Sequence, residues 1–284
     1  MPIDGLPQGV FISVIIASLN AQGTIARAID SVLDQTHADK ELIVMDGGSS
    51  DGTVEVIRSR TDRLAHWESE SDRGIAHAWN KGVEHARGRW ICFLGSDDML
   101  HDRDVLSRMA PRLSEFEEQG VLLVYGDVNI MDSTCREVLL SGNPQPDWVA
   151  RHAHQGGFIH HSGAFHAREL FHGRRFDESY RICSDQHMLW PVFIAGLSRH
   201  VPVLVADCPL GGLGGSFATH LDAKRETLRV IRSLGLASFP VRFLVKLASI
   251  AAFVTLTRPL GSRRAAKLAD WTRKLRGLPP RFSV

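Results

Sequence analysis

The stretch GRWICFLGSDDML, residues 88–100, constrains the chain more than any other. Trp90, Ile91, Cys92, Phe93 and Leu94 form an unbroken apolar run entered through Gly88, the pattern of a strand covered on both faces in a mostly parallel sheet. The run ends on Asp97 and Asp98. In open α/β sheets, ligands sit at the carboxyl ends of the strands. Two adjacent carboxylates repel each other unless a divalent cation or a hydrogen-bonded ligand takes up their charge. Such a pair can equally be a solvated turn that caps a helix from Met99 onward, so the rest of the chain has to decide.

The unit before it repeats. Residues 11–17 (FISVIIA) read as a buried strand, and Ile25, Ala28, Ile29, Val32 and Leu33 recur at helical spacing within 24–33. Residues 41–45 (ELIVM) give a second strand, ended by Asp46 and a GGSSDGT turn that leads into a helix carrying Val54, Val56 and Ile57. Residues 64–67 give a short third strand, Asp72-Arg73-Gly74 a turn, and 75–86 a helix closed by Gly88. Strands alternating with helices over the first hundred residues predict an α/β fold with a doubly wound, mostly parallel sheet. Further on, 105–116 reads as a helix and 121–131 as a strand or β-ribbon. Residues 136–154 read as a polar lid or insertion, 186–195 as a helix, 201–206 as a last strand and 211–216 (GGLGGS) as a flexible loop.

Composition narrows the class. With 284 residues, 44% of them hydrophobic and a net charge of +1, the chain can bury one large core, and its overall charge argues against a nucleic-acid binder. Cys92, Cys135, Cys183 and Cys208 form no CxxC pair, which fits reduced thiols in a cytoplasmic protein rather than a zinc ribbon. The first residues lack the pattern of a signal peptide, and no apolar run reaches the roughly 18 residues of a spanning helix. The end of the chain differs in kind. From Val241 onward, Arg242, Lys246, Arg258, Arg263, Arg264, Lys267, Arg273, Lys274, Arg276 and Arg281 are opposed by Asp270 alone, beside apolar residues 247–256. That composition suits either a basic amphipathic element lying against anionic lipid or a helical hairpin packed on the domain.

Several motifs invite other chemistries. Gly48-Ser49-Ser50-Asp51-Gly52 matches G-x-S-x-G, but it follows the second strand, and Ser50 has no His in an ordered triad series. His152, His154, His160, His161 and His166 lack metal-protease spacing. The first strand leads into Ala17-Ser18-Leu19-Asn20 instead of a glycine fingerprint, which removes the usual dinucleotide reading. What remains is a row of strand ends on one face: Ser18 and Asn20, then Asp46, then Asp72, then Asp97 and Asp98. Taken singly, each Asp could be a helix cap. Together they suit a nucleotide, with one carboxylate accepting from a base imide and a pair holding a cation against the diphosphate.

The segments ISVIIASLN, ELIVMDGGSSDGT, SESDRGIAHAWNKGVEHARGRWICFLGSDD and FDESYRICSDQHMLW resemble the successive motifs of family 2 inverting glycosyltransferases with the GT-A fold, in particular those of the colanic-acid-type branch of bacterial polysaccharide synthesis. The resemblance covers about residues 11–195. It implies a Rossmann-like, mostly parallel sheet flanked by helices, with a catalytic domain over 1–216 (nucleotide-sugar half about 1–100, acceptor half about 101–216). A basic helical extension would occupy 217–284. It further implies a nucleotide-diphospho-sugar donor, a Mg²⁺ or Mn²⁺ ion and direct displacement at the anomeric carbon. On this resemblance Asp46 contacts the base, Asp72 lines the same pocket, Asp98 ligates the metal, Asp97 lies near the ribose or the metal, and Asp185 is the catalytic base. The family often carries a carboxylate at the place of Gly95 and a Glu at that of Ser184, so the chain departs from it at both.

The chemistry asks for the same roles: a cation to offset charge developing on the leaving diphosphate, and a carboxylate across from it to accept the acceptor's proton. Lys81 and Arg73 are candidate phosphate contacts, and His160 and His161 candidate acceptor-site residues. The expected acceptor is a glycan or a polyprenyl-diphosphate-linked molecule of surface-polysaccharide synthesis, with UDP favoured as the donor nucleotide by an imide partner for Asp46. The expected location is cytoplasmic, with peripheral membrane contact through the tail. The alternatives are a nucleotidyltransferase, which would carry a basic glycine-rich loop after the first strand, and a nucleotide-sugar-binding protein without catalysis.

Overall fold

The structure is a computed structural model that describes residues 12–131, 137–141, 145–209, 219–236 and 241–275. Residues 211–216, Cys135, Arg276 and Arg281, all discussed above, lie outside the described residues. Strand β1 (Ile12–Ser18) leads through helix α1 (Ile25–Leu33) to β2 (Lys40–Asp46), and α2 (Thr53–Arg58) leads to β3 (His66–Ser69). Helix α3 (Ile75–His85) then delivers the chain to β4 (Trp90–Gly95). These strands are parallel and lie in the order β3-β2-β1-β4, as the alternating pattern requires. Side chains alternate across this sheet. Ile12, Val14, Ile16, Val44, Cys92 and Leu94 join one core with Ile25, Ala28, Ile29 and Val32 of α1. Ile15, Ile43, Met45, Ile91 and Phe93 join a second core on the opposite face, with Ala76, Ala78 and Trp79 of α3. Spacing of i, i+3, i+4 and i+7 along α1 puts its four buried residues on one stripe, which is why this segment is a helix with one wet face.

Beyond β4 the sheet turns mixed. Residues 99–100, which could have opened a helix, form instead the short strand β5 (Met99–Leu100), and α4 (Val105–Glu118) follows. Strand β6 (Leu123–Met131) pairs with β7 (Glu137–Ser141), and α5 (Pro146–His152) comes next. The stretch read as a lid thus contains a strand and a helix, and Val149 and Ala153 of that stretch are buried in the second core. Strand β8 (Ala164–Ala167) inserts between β4 and β6, antiparallel to both. After α6 (Ser184–Ile194), β9 (Ser198–Pro209) runs parallel to β6 and antiparallel to β5, longer than the 201–206 read from sequence. The order across the described sheet is β3-β2-β1-β4-β8-β6-β9-β5, with β7 on β6.

The C-terminal helices are not a detached tail. Leu228, Val230 and Ile231 of α7 (His220–Ser233) are buried in the second core, so the division at 216/217 does not mark the edge of that core. Phe243 of α8 (Val241–Thr257) joins them, and α9 (Gly261–Lys274) buries Ala265, Ala266 and Ala269. Val241, Val245, Leu256, Leu260, Trp271 and Leu275 nevertheless stay exposed along α8 and α9. Among the described residues no helix is long and apolar enough to cross a membrane.

The entry to β4 has no room for a side chain. A Cβ at Gly88 would lie 2.5 Å from the backbone nitrogen of Ser13, and the Gly88 N–H donates to Ser13 Oγ at 2.8 Å. Gly88→Ala is therefore expected to lower unfolding free energy by about 1–3 kcal/mol, as overpacking does, measured by urea denaturation.

Candidate active site

Parallel pairing brings the strand tips into one row: Ser18 lies opposite Asp46, and Asp46 opposite Ser69. The Asp46 carboxylate, 1% exposed, knits the row together. Its Oδ1 accepts from Ser18 Oγ at 2.8 Å and Ser49 Oγ at 2.6 Å, and its Oδ2 from Ser69 Oγ at 2.6 Å, Ser49 N at 2.9 Å and Gly48 N at 3.2 Å. Burial pushes its pKa up, but the hydroxyl and N–H donors of Ser49, Ser69 and Ser18 outweigh that and hold it below the usual carboxylate value. Gly48 takes φ +83° here, a conformation glycine adopts without strain. Asp46 thus shapes the loop after β2, with each of its oxygens accepting at least two hydrogen bonds.

Asn20 clips the neighbouring loop. It adopts a left-handed backbone (φ 51°), its N–H donates to Ser49 Oγ at 2.7 Å, and its Oδ1 accepts from Ser50 N at 2.9 Å. Asp72 packs on the Cα of Gly47, where a Cβ would lie 2.6 Å from Asp72 Oδ2. Its Oδ1 accepts from Gly74 N at 2.9 Å, and among the described residues no hydrogen bond reaches Oδ2. Ser18, Asn20, Asp46 and Asp72 are therefore one contiguous lining. Lys81 does not join them. Its ammonium pairs with Glu68 of β3, so the phosphate contact expected of it lacks a free cation. Arg73 is likewise engaged, by Glu178 at 2.7 Å.

One step along the row, Gly95 lies opposite Ala17. Asp97 and Asp98 fold back over Gly95: a Cβ there would meet Asp98 Oδ2 at 2.8 Å and Asp97 Oδ1 at 3.0 Å. A side chain at this position would require both carboxylates to move aside, and glycine leaves them room to converge over it. Asp98 is 8% exposed, and its Oδ2 accepts from Gly95 N at 3.1 Å and from Ser162 Oγ. Burial and the Asp98 charge raise the pKa of Asp97. Cys208, at the end of β9, is buried beside Asp98 and Ser162, and its Sγ lies 3.8 Å from His160 Nδ1. Burial and the Asp98 charge push its thiol well up. Two converging carboxylates, one raised in pKa by the other, form a donor set that fits a hard divalent cation such as Mg²⁺ or Mn²⁺.

Asp185 stands in the first turn of α6. The helix starts at Ser184 with Cys183 as its N-cap, so Asp185 is inside the helix and does not cap it. Burial raises its pKa to about 7, with Glu226 adding to the rise; the backbone N–H of Gln186, 2.8 Å from Oδ1, works against it. Among the described residues no hydrogen bond joins it to Asp97 or Asp98. The loop before it is fixed from two sides. Asn80 of α3 exchanges hydrogen bonds of 2.9 Å with the backbone of Phe176, and Arg73 holds Glu178, which ties this loop to the one carrying Asp72. From α7, Glu226 accepts from the N–H groups of Arg181, Ile182 and Cys183 at 2.8–3.0 Å. Glu226 and Ser162 escape the sequence reading, and Cys208 is read there only as a reduced thiol; a Glu on an amphipathic helix and a Ser in a loop carry no local signal. His161 is partly buried: its ring packs on Trp79 and Phe93, and its Nε2 lies 3.1 Å from His166 Nε2.

The sheet order and the acidic strand ends are those of a GT-A glycosyltransferase fold. The chain belongs to glycosyl transferase family 2, whose profile matches residues 13–172. It is 40% identical over 125 residues to a PGL/p-HBAD biosynthesis glycosyltransferase of Mycobacterium tuberculosis, covering 43% of this chain and 48% of that one. It is 34% identical over 123 residues to the Escherichia coli UDP-Glc:alpha-D-GlcNAc-diphosphoundecaprenol beta-1,3-glucosyltransferase WfgD, covering 43% of this chain and 47% of that one. The chain thus spans about half the length of these curated relatives. Among solved structures it is similar to the mannosyltransferase PcManGT of Pyrobaculum calidifontis in complex with GDP-Man and Mn²⁺ (TM-score 0.63, 19% identity, 93% of this chain and 79% of that one). It is also similar to residues 1–349 of S. aureus TarS in complex with UDP-GlcNAc (TM-score 0.60, 16% identity, 78% of this chain and 66% of that one).

The raised pKa of Asp185 has a signed consequence for stability. A carboxyl that titrates near 7 when folded and near about 3.9 when unfolded binds its proton more tightly in the native state. Its ionisation therefore costs stability progressively as pH rises from about 4 to 7, and fully above that. Asp185→Asn is expected to be more stable than wild type at pH 8 but not at pH 4, read from urea midpoints at both.

Proposed function

We propose that the chain is an inverting glycosyltransferase that moves a sugar from a nucleotide-diphospho-sugar, with UDP as the nucleotide, to a glycan or lipid-linked acceptor. The pathway would be surface-polysaccharide or glycolipid synthesis, of the kind found in the colanic-acid-type branch. The observation that carries this reading is the convergence of Asp97 and Asp98 over Gly95, one register step from the Ser18–Asp46 row. A nucleotide lying along that row puts its diphosphate beside the paired carboxylates. The relatives support it. One is named for a UDP-glucose donor and a diphosphoundecaprenol acceptor, and two structural neighbours hold a nucleotide sugar, one of them with Mn²⁺.

In this reading Asp72, with Oδ2 open, faces the base, while Asp46 and Asn20 hold the loops that shape its pocket. Asp98, with Asp97, would hold Mg²⁺ or Mn²⁺, which offsets the charge on the departing diphosphate when bound. Asp185 accepts the proton of the acceptor hydroxyl as that oxygen attacks the anomeric carbon and the nucleoside diphosphate leaves from the opposite face. With a pKa of about 7, Asp185 is a carboxylate matched to taking up a proton near neutral pH. Activity is expected to fall as pH drops through about 7 with a single ionisation. Asp185→Asn should lose roughly 10²–10⁴-fold in turnover while UDP binding is retained. Asp98→Asn should instead weaken Mn²⁺ binding, measured by calorimetry. Asp185→Asn turning over at the wild-type rate would remove Asp185 as the base.

The location that fits is cytoplasmic, with peripheral contact at the membrane. Trp271 (58% exposed) and Leu275 (68%) share a face of α9 with exposed Arg264, Lys267 and Lys274, a mixed apolar and basic surface suited to anionic lipid. Co-sedimentation with phosphatidylglycerol vesicles should be lost on combining Trp271→Ala with Lys267→Glu and unaffected by Asp98→Asn. Equal partitioning of all three proteins would end the membrane reading.

A further inference from the structure

Away from the strand tips, His66, Glu68 and His85 bring three ligand groups to one spot: one donor atom of each lies within 4.8 Å of the others. His66 and Glu68 are two apart on β3 and so share a face, while His85 ends α3, the helix that follows that strand. Two details distinguish the cluster from an ordinary polar surface. The imidazoles of His66 and His85 stack at 3.5 Å with their planes 14° apart, which sets two ring edges side by side. Nε2 of His66 is buried without a hydrogen-bond partner, 3.8 Å from Glu68 Oε2. Lys81 occupies the other oxygen of Glu68, Oε1, and leaves Oε2 facing the ring nitrogens.

We propose that His66, Glu68 and His85 form a binding site for a transition-metal ion of the zinc class, with a further position open to water. Two imidazoles and one carboxylate suit zinc. Ligand distances of about 2.0–2.2 Å put the donors of a tetrahedral ion roughly 3.4 Å apart, so a shift of about 1 Å in the side chains closes the set. His85 is exposed, which gives the ion a route in. This centre is separate from the carboxylates of the nucleotide site. His66 opens β3, whereas Ser69, at the other end of the same strand, is the residue bonded to Asp46. A bound ion would join the start of edge strand β3 to the end of α3, closing this strand–helix pair at the end away from the loop that carries Asp72.

The test uses the full chain and Zn²⁺ alone, without nucleotide, by calorimetry and thermal denaturation. Wild type is expected to bind one equivalent and to melt higher with zinc, since a ligand held only by the folded state raises the melting point. His85→Ala, at an exposed helix end, should weaken binding by more than the roughly 10–100-fold that loss of an outer partner costs, and should abolish the rise. Glu68→Gln should weaken it too, and Asp98→Asn should leave it unchanged. Wild type that binds no stoichiometric zinc would overturn the proposal. So would undiminished binding in His85→Ala, or loss of binding in Asp98→Asn, which would assign the ion to the nucleotide site.

Discussion

The parallel half of the sheet depends on one buried negative charge. Asp46 is removed from solvent, no cation among the described residues pairs with it, and its carboxylate is stabilised by three hydroxyls and two backbone N–H groups instead. Those donors come from the ends of β1 and β3 and from the loop after β2. A charge that would otherwise be expensive to bury therefore fixes three tips relative to one another. The bonds form only if the strands pair parallel and in register, because Ser18, Asp46 and Ser69 must fall in line. The contact of Asp72 with Gly47 follows from that arrangement and joins the loop after β3 to the same row.

The second half solves a different problem, the placement of a carboxylate from outside the parallel sheet. Asp185 belongs to a helix on the face of the second core, and its loop is held by α3 through Asn80 and by α7 through Glu226. The three N–H groups taken by Glu226 would otherwise need other partners just ahead of α6. Its negative charge also helps to keep the Asp185 proton affinity high. The C-terminal helix that reads as tail is thus part of what prepares the candidate base. Beyond it, α8 and α9 carry exposed apolar residues, and α9 carries exposed basic ones.

The first hundred residues were legible because each element there declares itself locally. Buried parallel strands are continuous apolar runs, and α1 carries an unbroken helical stripe. Acidic residues at the strand ends could be read as neighbours once the sheet was assumed parallel. The later elements were less legible. Strand β8 is a short run between a histidine pair and a charged turn, and its place between β4 and β6 depends on partners far away in sequence. Helix α5 has a signal that was passed over, Pro146 at its first position. At the site, residue type predicted location better than role. Asp46 is where expected but fully bonded, Lys81 is committed to Glu68, and Glu226, Ser162 and Cys208 act through contacts that no spacing in the sequence encodes.

The account turns on whether the carboxylates over Gly95 and the row knit by Asp46 bind one ligand together. A crystal structure of the chain with UDP and Mn²⁺ tests that most directly. The expected result is uracil beside Asp72, the diphosphate over the β4 tip, and the ion in contact with both the diphosphate and Asp98. UDP lodged elsewhere, or an ion that leaves Asp98 untouched, would contradict it.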